Sequence, residues 1–364
     1  MGSEDHRFPC HNCGSDLRFD PGADQLICDH CGSAETIDHS PWDRNQAIEE
    51  QDFSATLRAS TSGVEMEEAR TSQCPNCGAR IEFDGAVHSK ECPYCATPVV
   101  TDTGATRQIK PRAVVPFELS EDEARQAMKD WLGRLWFAPN GLTEYARKGR
   151  KLSGVYTPCW TFDADSKTRY TGQRGIEYTT TRTVTRNGKR QTERQTKVRW
   201  TSVSGRVARF FDDVLVVAST ALPEKFRTCL GQWDLTRLEP YLPQYLAGFR
   251  AEAYTVSLED GFKEGKTIMD RQIMRDIKFD IGGDRQRVQN VETKLADVTF
   301  KHILVPVWLA AYKYRGRSFR FVVNGQSGQV AGERPWSIWK LTLAALLVAI
   351  IAGALGYTAA VNQG

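Results

Sequence analysis

The sequence predicts an α+β fold in which two small cysteine-rich modules precede a β-rich domain with a few helices and one C-terminal transmembrane helix. Three observations predict it: a duplicated pattern of four cysteines, Thr-rich and apolar alternating segments in the middle of the chain, and an uncharged run at residues 341–361. The chain of 364 residues is long enough for several domains. Its net charge of +3 is too small to indicate a polyanionic partner by itself.

Two sets of four cysteines share the spacing C-x2-C-x14-C-x2-C, and each cysteine of the second set lies 64 residues after its counterpart. The cysteines are Cys10, Cys13, Cys28 and Cys31, then Cys74, Cys77, Cys92 and Cys95. The neighbours Gly14, Leu17, Phe19 and Asp20 recur as Gly78, Ile81, Phe83 and Asp84, which indicates an internal duplication. Zn²⁺ takes four thiolates tetrahedrally, and a module this small needs the metal to fold. We predict two tandem tetra-cysteine zinc ribbons, at residues 8–38 and 72–100, each with one structural Zn²⁺ ion.

Other interpretations of these cysteines remain open. His11 and His30 lie inside the first pair of knuckles and could replace a ligand, although exposed spacers are the simpler interpretation. A redox dithiol is a further alternative for a Cys-x-x-Cys pair, but in a reducing compartment such pairs indicate metal sites. Four thiolates leave no open position for water, so we expect no catalytic zinc.

Helix-start and helix-stop residues define the helical parts. Ser40 and Pro41 predict a helix in the connector at residues 39–71, because they suit the N-cap and first helical positions. Within an α+β domain at residues 113–335, Ser120 and Glu123 form a capping-box pattern. A later helix is predicted at about residues 257–281, ended by two glycines.

A basic hairpin is predicted at residues 176–200. Asn187-Gly188 between two Thr-rich arms is a strong hairpin signal, and a two-residue turn places Arg182 opposite Glu193. The candidate residues for binding an anionic surface are Arg182, Arg186, Lys189, Arg190, Arg194, Lys197 and Arg199. That surface could be lipid headgroups, nucleic acid or an acidic protein face. The alternative is a solvated hairpin whose charges protect its edges from aggregation.

The uncharged run predicts a membrane anchor. A helix over residues 341–361 would be about 31 Å long, close to a hydrocarbon core of about 30 Å. Trp336 and Trp339 flank one end and Tyr357 the other, as in an interfacial aromatic belt. Basic residues precede the run, so the N-terminal domains are expected in the cytoplasm. We therefore expect a single-pass, C-terminal anchor at residues 339–361 in the inner or plasma membrane, with a buried core helix as the alternative.

The sequence contains none of the common catalytic or nucleotide-binding motifs. It has no G-x-x-x-x-G-K-[ST], G-x-G-x-x-G, H-E-x-x-H or G-x-S-x-G pattern. We therefore expect no enzymatic activity and infer no small-molecule substrate.

Several longer segments carry a family resemblance. They include FPCHNCG, VVPFELSEDEA, RFFDDVLV and VTFKHILVPVWLAAYKYRGRSFRFVVNGQSG. With these segments the chain, over about residues 8–345, resembles a family of bacterial membrane proteins with TFIIB-type zinc ribbons. Members are often labelled primosomal protein N′-like or superfamily II helicase, but the absent nucleotide-binding loop argues against helicase activity. Related proteins act as membrane partners of phage-shock-type stress proteins, so the resemblance implies a role in the envelope or membrane-stress response.

Together these observations predict a membrane-anchored cytosolic zinc-ribbon adaptor or scaffold for protein partners, in contact with the lipid bilayer. The alternative is a membrane-tethered nucleic-acid-binding protein that uses the zinc ribbons and the basic hairpin. That alternative predicts binding that weakens steeply with salt, because counterions are released when phosphates are neutralised.

Overall fold

The computed structural model of the chain describes residues 8–38, 49–58, 66–82, 89–95, 98–100, 105–136, 152–186, 189–224, 226–227, 233–314, 317–333 and 336–361. The helices in these ranges are α1 (Phe53–Arg58), α2 (Glu121–Gly133), α3 (Leu258–Ile281) and α4 (Ile338–Val361). The strands are β1 (Leu17–Asp20), β2 (Gln25–Cys28), β3 (Ala34–Thr36), β4 (Gln51–Asp52), β5 (Met66–Gln73), β6 (Arg80–Glu82), β7 (Ser89–Glu91), β8 (Pro98–Val100), β9 (Ala105–Ile109), β10 (Ala113–Val114), β11 (Ser153–Arg186), β12 (Lys189–Val217), β13 (Glu239–Pro240), β14 (Arg250–Ala253), β15 (Arg285–Tyr314), β16 (Arg317–Asn324) and β17 (Val330–Gly332).

Three long strands form the centre of the main, twelve-stranded sheet. β11, β12 and β15 contain 34, 29 and 30 residues, and β11 pairs antiparallel with both of the others. The pairing of β11 with β15 ends at Gly175, opposite Arg285, whereas its pairing with β12 continues to Arg186, opposite Lys189. The end of the β11–β12 hairpin therefore projects beyond β15 as a two-stranded ribbon.

Shorter strands widen the sheet around this centre. On one side β10 pairs in parallel with β15 and β13 pairs with β10; β16, β17 and β4 are also joined to this side through β15. On the other side β14 pairs in parallel with the start of β11, and β6, β5 and β9 follow in turn.

The helix α3 covers one face of the three long strands. Its buried stripe, which includes Met269, Ile273 and Ile277, packs on aromatic side chains of the sheet, among them Trp160. A side chain at Gly261 would place its Cβ 2.6 Å from the Trp160 ring, so glycine is needed where the helix approaches the sheet. This packing buries the apolar stripe that the helical periodicity predicts.

The first cysteine module (residues 8–38) has its own small sheet of β1, β2 and β3 and docks through aromatic contacts. The ring centroid of Phe19 lies 5.3 Å from that of Tyr245 and 6.3 Å from that of Phe249. Gly248 has a φ of +83°, and a Cβ there would lie 2.9 Å from the Cβ of Arg18, so the loop between the two aromatic residues needs glycine.

The second cysteine module (residues 72–100) belongs to the main sheet. Its strand β6 pairs with β14, with Ile81 opposite Glu252. Its cysteines pack in one apolar cluster with sheet residues such as Val155, Val307 and Val322. The two copies of the duplicated sequence therefore have different structural surroundings.

The predicted fold class is wrong. The described residues form a mainly β structure dominated by one large sheet, rather than an α+β fold of two tandem zinc ribbons, a separate domain and a transmembrane helix. The physical reason is that the middle segments pair over about 30 residues each, where the sequence suggested short strand–turn–strand units. The strand β6 of the second module also pairs into that sheet, whereas β7 and β8 form a two-stranded sheet of their own.

The prediction of a transmembrane anchor at residues 339–361 is also wrong for the described residues. None of their helices is both long and apolar enough to cross a membrane. The location in the inner or plasma membrane and the cytoplasmic orientation were inferred from that anchor, so they lose their basis.

The predicted helix ends in the middle of the chain are confirmed. Ser120 caps α2 in a capping box with Glu123, and α3 begins after the N-cap Ser257 and ends before Gly282. The predicted start of the connector helix, at Ser40, lies outside the described residues. Further along the connector, β4 is followed by the short helix α1.

Candidate metal centres and charged clusters

The first cysteine module brings its four thiols together. The Sγ atoms of Cys10 and Cys31 are 3.6 Å apart, and those of Cys13 and Cys28 are 3.5 Å apart. Each knuckle is closed by a backbone hydrogen bond that Gly14 or Gly32 donates to the first cysteine's carbonyl, and both glycines have a φ of +73°. The duplicated glycines are therefore required by the left-handed turn of each knuckle.

The second cysteine module repeats this geometry in a more buried place. The Sγ atoms of Cys74 and Cys95 are 3.6 Å apart, and those of Cys77 and Cys92 are 3.5 Å apart. Only Cys77 of the four is partly accessible, whereas Cys13 and Cys31 of the first module are exposed.

Both groups fit a four-coordinate metal ion. In each group the four Sγ atoms lie within 4.8 Å of one another. A tetrahedral ion with metal–sulfur bonds of about 2.3 Å would place its ligands about 3.8 Å apart. The shortest separations of 3.5 and 3.6 Å are close to that value, so each tetra-cysteine group could hold one metal ion.

The two histidines of the first module lie at its surface. The His11 side chain is 89% exposed, with its Nε2 3.7 Å from Glu35. His30 is exposed as well. The group of side chains that converge in this module contains the four cysteines and neither histidine.

A buried polar network connects the second module to the sheet. Tyr94, between the last two cysteine ligands, donates a hydrogen bond of 2.5 Å to Glu252 on β14. Ser219 donates a second one, of 2.7 Å, to the other oxygen of this carboxylate. Burial raises the pKa of Glu252 to about 8, although both hydrogen bonds act in the opposite direction. Burial also raises the pKa of Tyr94, which therefore stays protonated as the donor.

Another cluster joins the connector to the centre of the sheet. The Lys301 side chain, on β15, is 4% exposed, and its Nζ lies 2.9 Å from Glu50 and 2.9 Å from Asp213. Asp163 on β11 accepts a hydrogen bond of 2.7 Å from the backbone N–H of Asp213. Thr299 donates a further hydrogen bond to Glu50. Three carboxylates from distant parts of the chain thus lie close together, and two of them contact one ammonium group.

A pair of β-bulges creates this arrangement. The register of β11 shifts at Asp163 against both β12 and β15. Asp213 and Asp297, the extra residues on the two neighbours, both have a φ of +50°, which aspartate tolerates better than most side chains do. The bulges redirect the local side chains and place Asp213 next to Lys301.

The charges in the cluster compensate one another in part. Burial and, second to it, the hydrogen bond with Glu50 raise the pKa of Asp163 to about 7, although the hydrogen bond from the N–H of Asp213 acts in the opposite direction. Burial alone would raise the pKa of Glu50, but hydrogen bonds from Asp163, Thr299 and Lys301 lower it below its usual value. Burial alone would lower the pKa of Lys301, but its contacts with the two carboxylates keep it raised. Three carboxylates could in principle hold a metal ion, but here the ammonium group already supplies the positive charge.

Sequence patterns gave no indication of this cluster. Glu50 and Lys301 are 251 residues apart, and neither belongs to a recognisable motif. The one available signal was Asp212-Asp213 inside an otherwise apolar strand segment, which is typical of a bulge.

The basic hairpin has the predicted register, with Arg182 opposite Glu193 and Thr183 opposite Thr192. Arg182, Arg194, Lys197 and Arg199 are exposed. The side chains of Arg186, Lys189 and Arg190, and the turn residues 187–188, lie outside what the structure describes. In β11 the hairpin residues lie beyond Gly175, whereas the second cysteine module joins the sheet through β14 next to the start of this strand, at Val155 and Tyr156.

Comparison with known proteins indicates one relative and no family. No protein-family model matches the chain, and no solved structure matches it. The chain is similar to the uncharacterized protein YdjG of Bacillus subtilis (strain 168), with 26% identity over 344 residues, or 92% of this chain and 91% of YdjG. The similarity thus extends well beyond the cysteine-rich segments. The resemblance to TFIIB-type zinc-ribbon membrane proteins stays a prediction.

Proposed function

We propose that the protein is a zinc-stabilised adaptor that binds a protein partner and performs no catalysis. The metal assignment rests on donor chemistry. Four thiolates in a tetrahedral arrangement select zinc or an iron–sulfur centre, and paired knuckles around a single ion are typical of structural zinc. Zinc binding would then contribute directly to the folding free energy of both cysteine modules.

The observation that carries the adaptor proposal is the exposed apolar surface of α4. Leu346 and Ile350 on this helix are 64% and 69% exposed, and Trp339 near its start is 77% exposed. Large contiguous apolar surfaces mark sites where other molecules bind. In the adaptor model, a partner protein covers this helix.

The polar clusters of the described residues support a structural role. The carboxylates around Lys301 hold the connector against the sheet, and Glu252 holds the second cysteine module. Each cluster joins polar side chains from different elements of the fold. This pattern suits a scaffold whose parts must keep fixed positions.

Site-specific photocrosslinking of the full-length protein in its native cells tests the proposal. A photoreactive benzoylphenylalanine replaces Leu346 in one variant and Lys263 in the control; the Lys263 side chain is 66% exposed and lies on α3, a different helix. We expect one discrete protein adduct from position 346 and none from position 263. We also expect the double substitution L346E/I350E to abolish that adduct from a neighbouring probe position while leaving the metal content unchanged.

Two results would contradict the adaptor proposal. One is equal crosslinking from both positions, which would mean that proteins contact the whole surface without selection. The other is an absence of protein adducts at position 346 under conditions in which the probe reacts with solvent or lipid.

A further inference from the structure

The end of the β11–β12 hairpin forms a free-standing arm, here called the basic ribbon (residues 176–186 and 189–199). The ribbon extends beyond the end of β15, since Gly175 of β11 is opposite Arg285, the first residue of β15. The covering helix α3 also ends here, at Ile281. Eleven residues per strand at about 3.3 Å each give the arm a length of roughly 36 Å.

The pairing register determines on which face of the ribbon each basic side chain lies. Residues directly opposite each other share a face, and Tyr178 is opposite Lys197 while Ile176 is opposite Arg199. Arg182 lies on the same face, four residues along the strand from Tyr178. The guanidinium carbon of Arg199 lies 5.4 Å from the centroid of the Tyr178 ring, a cation–π contact that orients it. One face therefore presents three exposed cations, and its one acid among the described side chains is the exposed Glu193, opposite Arg182.

The positive charge of the ribbon is largely uncompensated. Residues 176–199 contain seven basic and two acidic side chains. One acid, Glu177, is bound at 2.5 Å by Arg285, which lies outside the ribbon. Within the described part of the chain, no ion pair involves Arg182, Arg194, Lys197 or Arg199.

We propose that the basic ribbon binds double-stranded DNA in the major groove. The major groove of B-form DNA is about 12 Å wide and admits a two-stranded ribbon, whose strands lie about 4.8 Å apart. The deep, narrow major groove of an RNA duplex does not admit one. This binding is a second activity, independent of the surface on α4.

The composition of the arm favours DNA over a protein surface. The centres of protein–protein interfaces are enriched in aromatic residues and depleted in lysine, whereas protein–DNA interfaces are polar and strongly positive. Beyond Tyr178 the described side chains of the ribbon are mainly Thr, Gln, Arg and Lys. Arginine, threonine and glutamine are also the side chains that contact phosphates and base edges.

Binding of the full-length protein to a fluorescently labelled B-form duplex of about two helical turns tests the proposal, with fluorescence anisotropy read between about 50 and 200 mM salt. Each cation that contacts a phosphate should add about −0.9 to the slope of log K against log salt. The variant R182Q/K197Q/R199Q should therefore make the slope less negative by about 2.7 and lower the affinity near 0.1 M salt by roughly 10²- to 10³-fold. The control K263Q/K266Q/R271Q removes the same charge from exposed positions on α3 and should leave binding nearly unchanged.

Competing ligands separate DNA from other anionic partners. An RNA duplex of the same sequence, a polyglutamate peptide and vesicles containing phosphatidylglycerol should each bind more weakly than DNA. Equal or tighter binding of any of them, with the same dependence on Arg182, would overturn the proposal. Equal losses in the ribbon variant and the α3 control would overturn it too, since net charge alone would then explain the affinity. Circular dichroism and metal content of both variants establish that they are folded.

Discussion

Replacing Lys301 with methionine tests how strongly the buried ion cluster holds the connector to the sheet. The Lys301 Nζ lies 2.9 Å from both Glu50 and Asp213, and its side chain is 4% exposed. Methionine fills a similar volume but leaves the carboxylates facing one another without a cation. Breaking a buried ion pair by removing one partner costs about 3–5 kcal/mol. Because Glu50 and Asp213 keep 23% and 24% exposure, we expect the lower end, about 3 kcal/mol.

Urea unfolding, followed by tryptophan fluorescence, measures this cost. For a chain of this size the free energy of unfolding falls by about 3 kcal/mol per molar urea, so the urea concentration at the unfolding midpoint should fall by about 1 M. The matched control is Lys294→Met, an exposed lysine on the same strand, which should change the free energy of unfolding by less than about 0.5 kcal/mol. Equal effects of the two substitutions would refute the interpretation that Lys301 neutralises the carboxylates.

Three further predictions concern the polar network and the metal sites. Asp163→Asn should gain stability relative to the wild type as pH rises from about 4 to 7, because the folded protein holds this proton to about pH 7 while the unfolded chain releases it near pH 3.8. After allowance for solvent screening, the gain in the free energy of unfolding relative to the wild type is about 1–2 kcal/mol. If urea titrations gave the same difference between variant and wild type at every pH, the prediction would be contradicted. Tyr94→Phe should lower the free energy of unfolding by about 1.5–3 kcal/mol, because the buried Glu252 carboxylate loses a hydrogen-bond donor. An unchanged unfolding midpoint in urea would show that this hydrogen bond does not stabilise the fold. A chelator should remove metal in two phases, and the faster phase should come from the first module, because Cys13 and Cys31 are exposed. The faster phase should disappear in the variant C13S/C31S. A single phase in the wild type would contradict the effect expected from the difference in burial.

Local sequence signals predicted local structure well. The capping box at Ser120 and Glu123, the two ends of α3, and the hairpin register of Arg182 with Glu193 are all confirmed. Each depends on contacts between residues close in sequence, whose geometry is limited by backbone sterics. The convergence of the cysteines was predictable for the same reason, because two knuckles separated by a short hairpin can meet in few ways.

Contacts between distant segments could not be predicted. The cluster around Lys301 depends on the pairing of β11 with β15 and on two bulges, and nothing near Glu50 in the sequence indicates its partner. The length of the central strands was missed because their projecting parts lack the apolar alternation that marks half-buried strands. The second cysteine module differs from the first through the pairing of β6 with β14 and through the Tyr94–Glu252 contact, neither of which the duplicated motif alone reveals.

At the C-terminal segment the sequence led to a prediction that the described structure does not support, because an apolar composition was interpreted as a membrane anchor. Its helix was predicted correctly and spans Ile338–Val361. The step from an apolar helix to a membrane anchor depended on a match between the length of the run and the bilayer thickness, and no helix among the described residues is both long and apolar enough to cross a membrane.

Metal stoichiometry tests the central claim most directly, namely that each tetra-cysteine group holds one structural zinc ion. Elemental analysis and native mass spectrometry of the full-length protein should give two zinc ions per chain. Serine at all four cysteines of the first module should leave one ion, and unfolding should then begin in that module. A chain that is folded and contains no metal, or whose metal content is unchanged by these substitutions, would contradict the account.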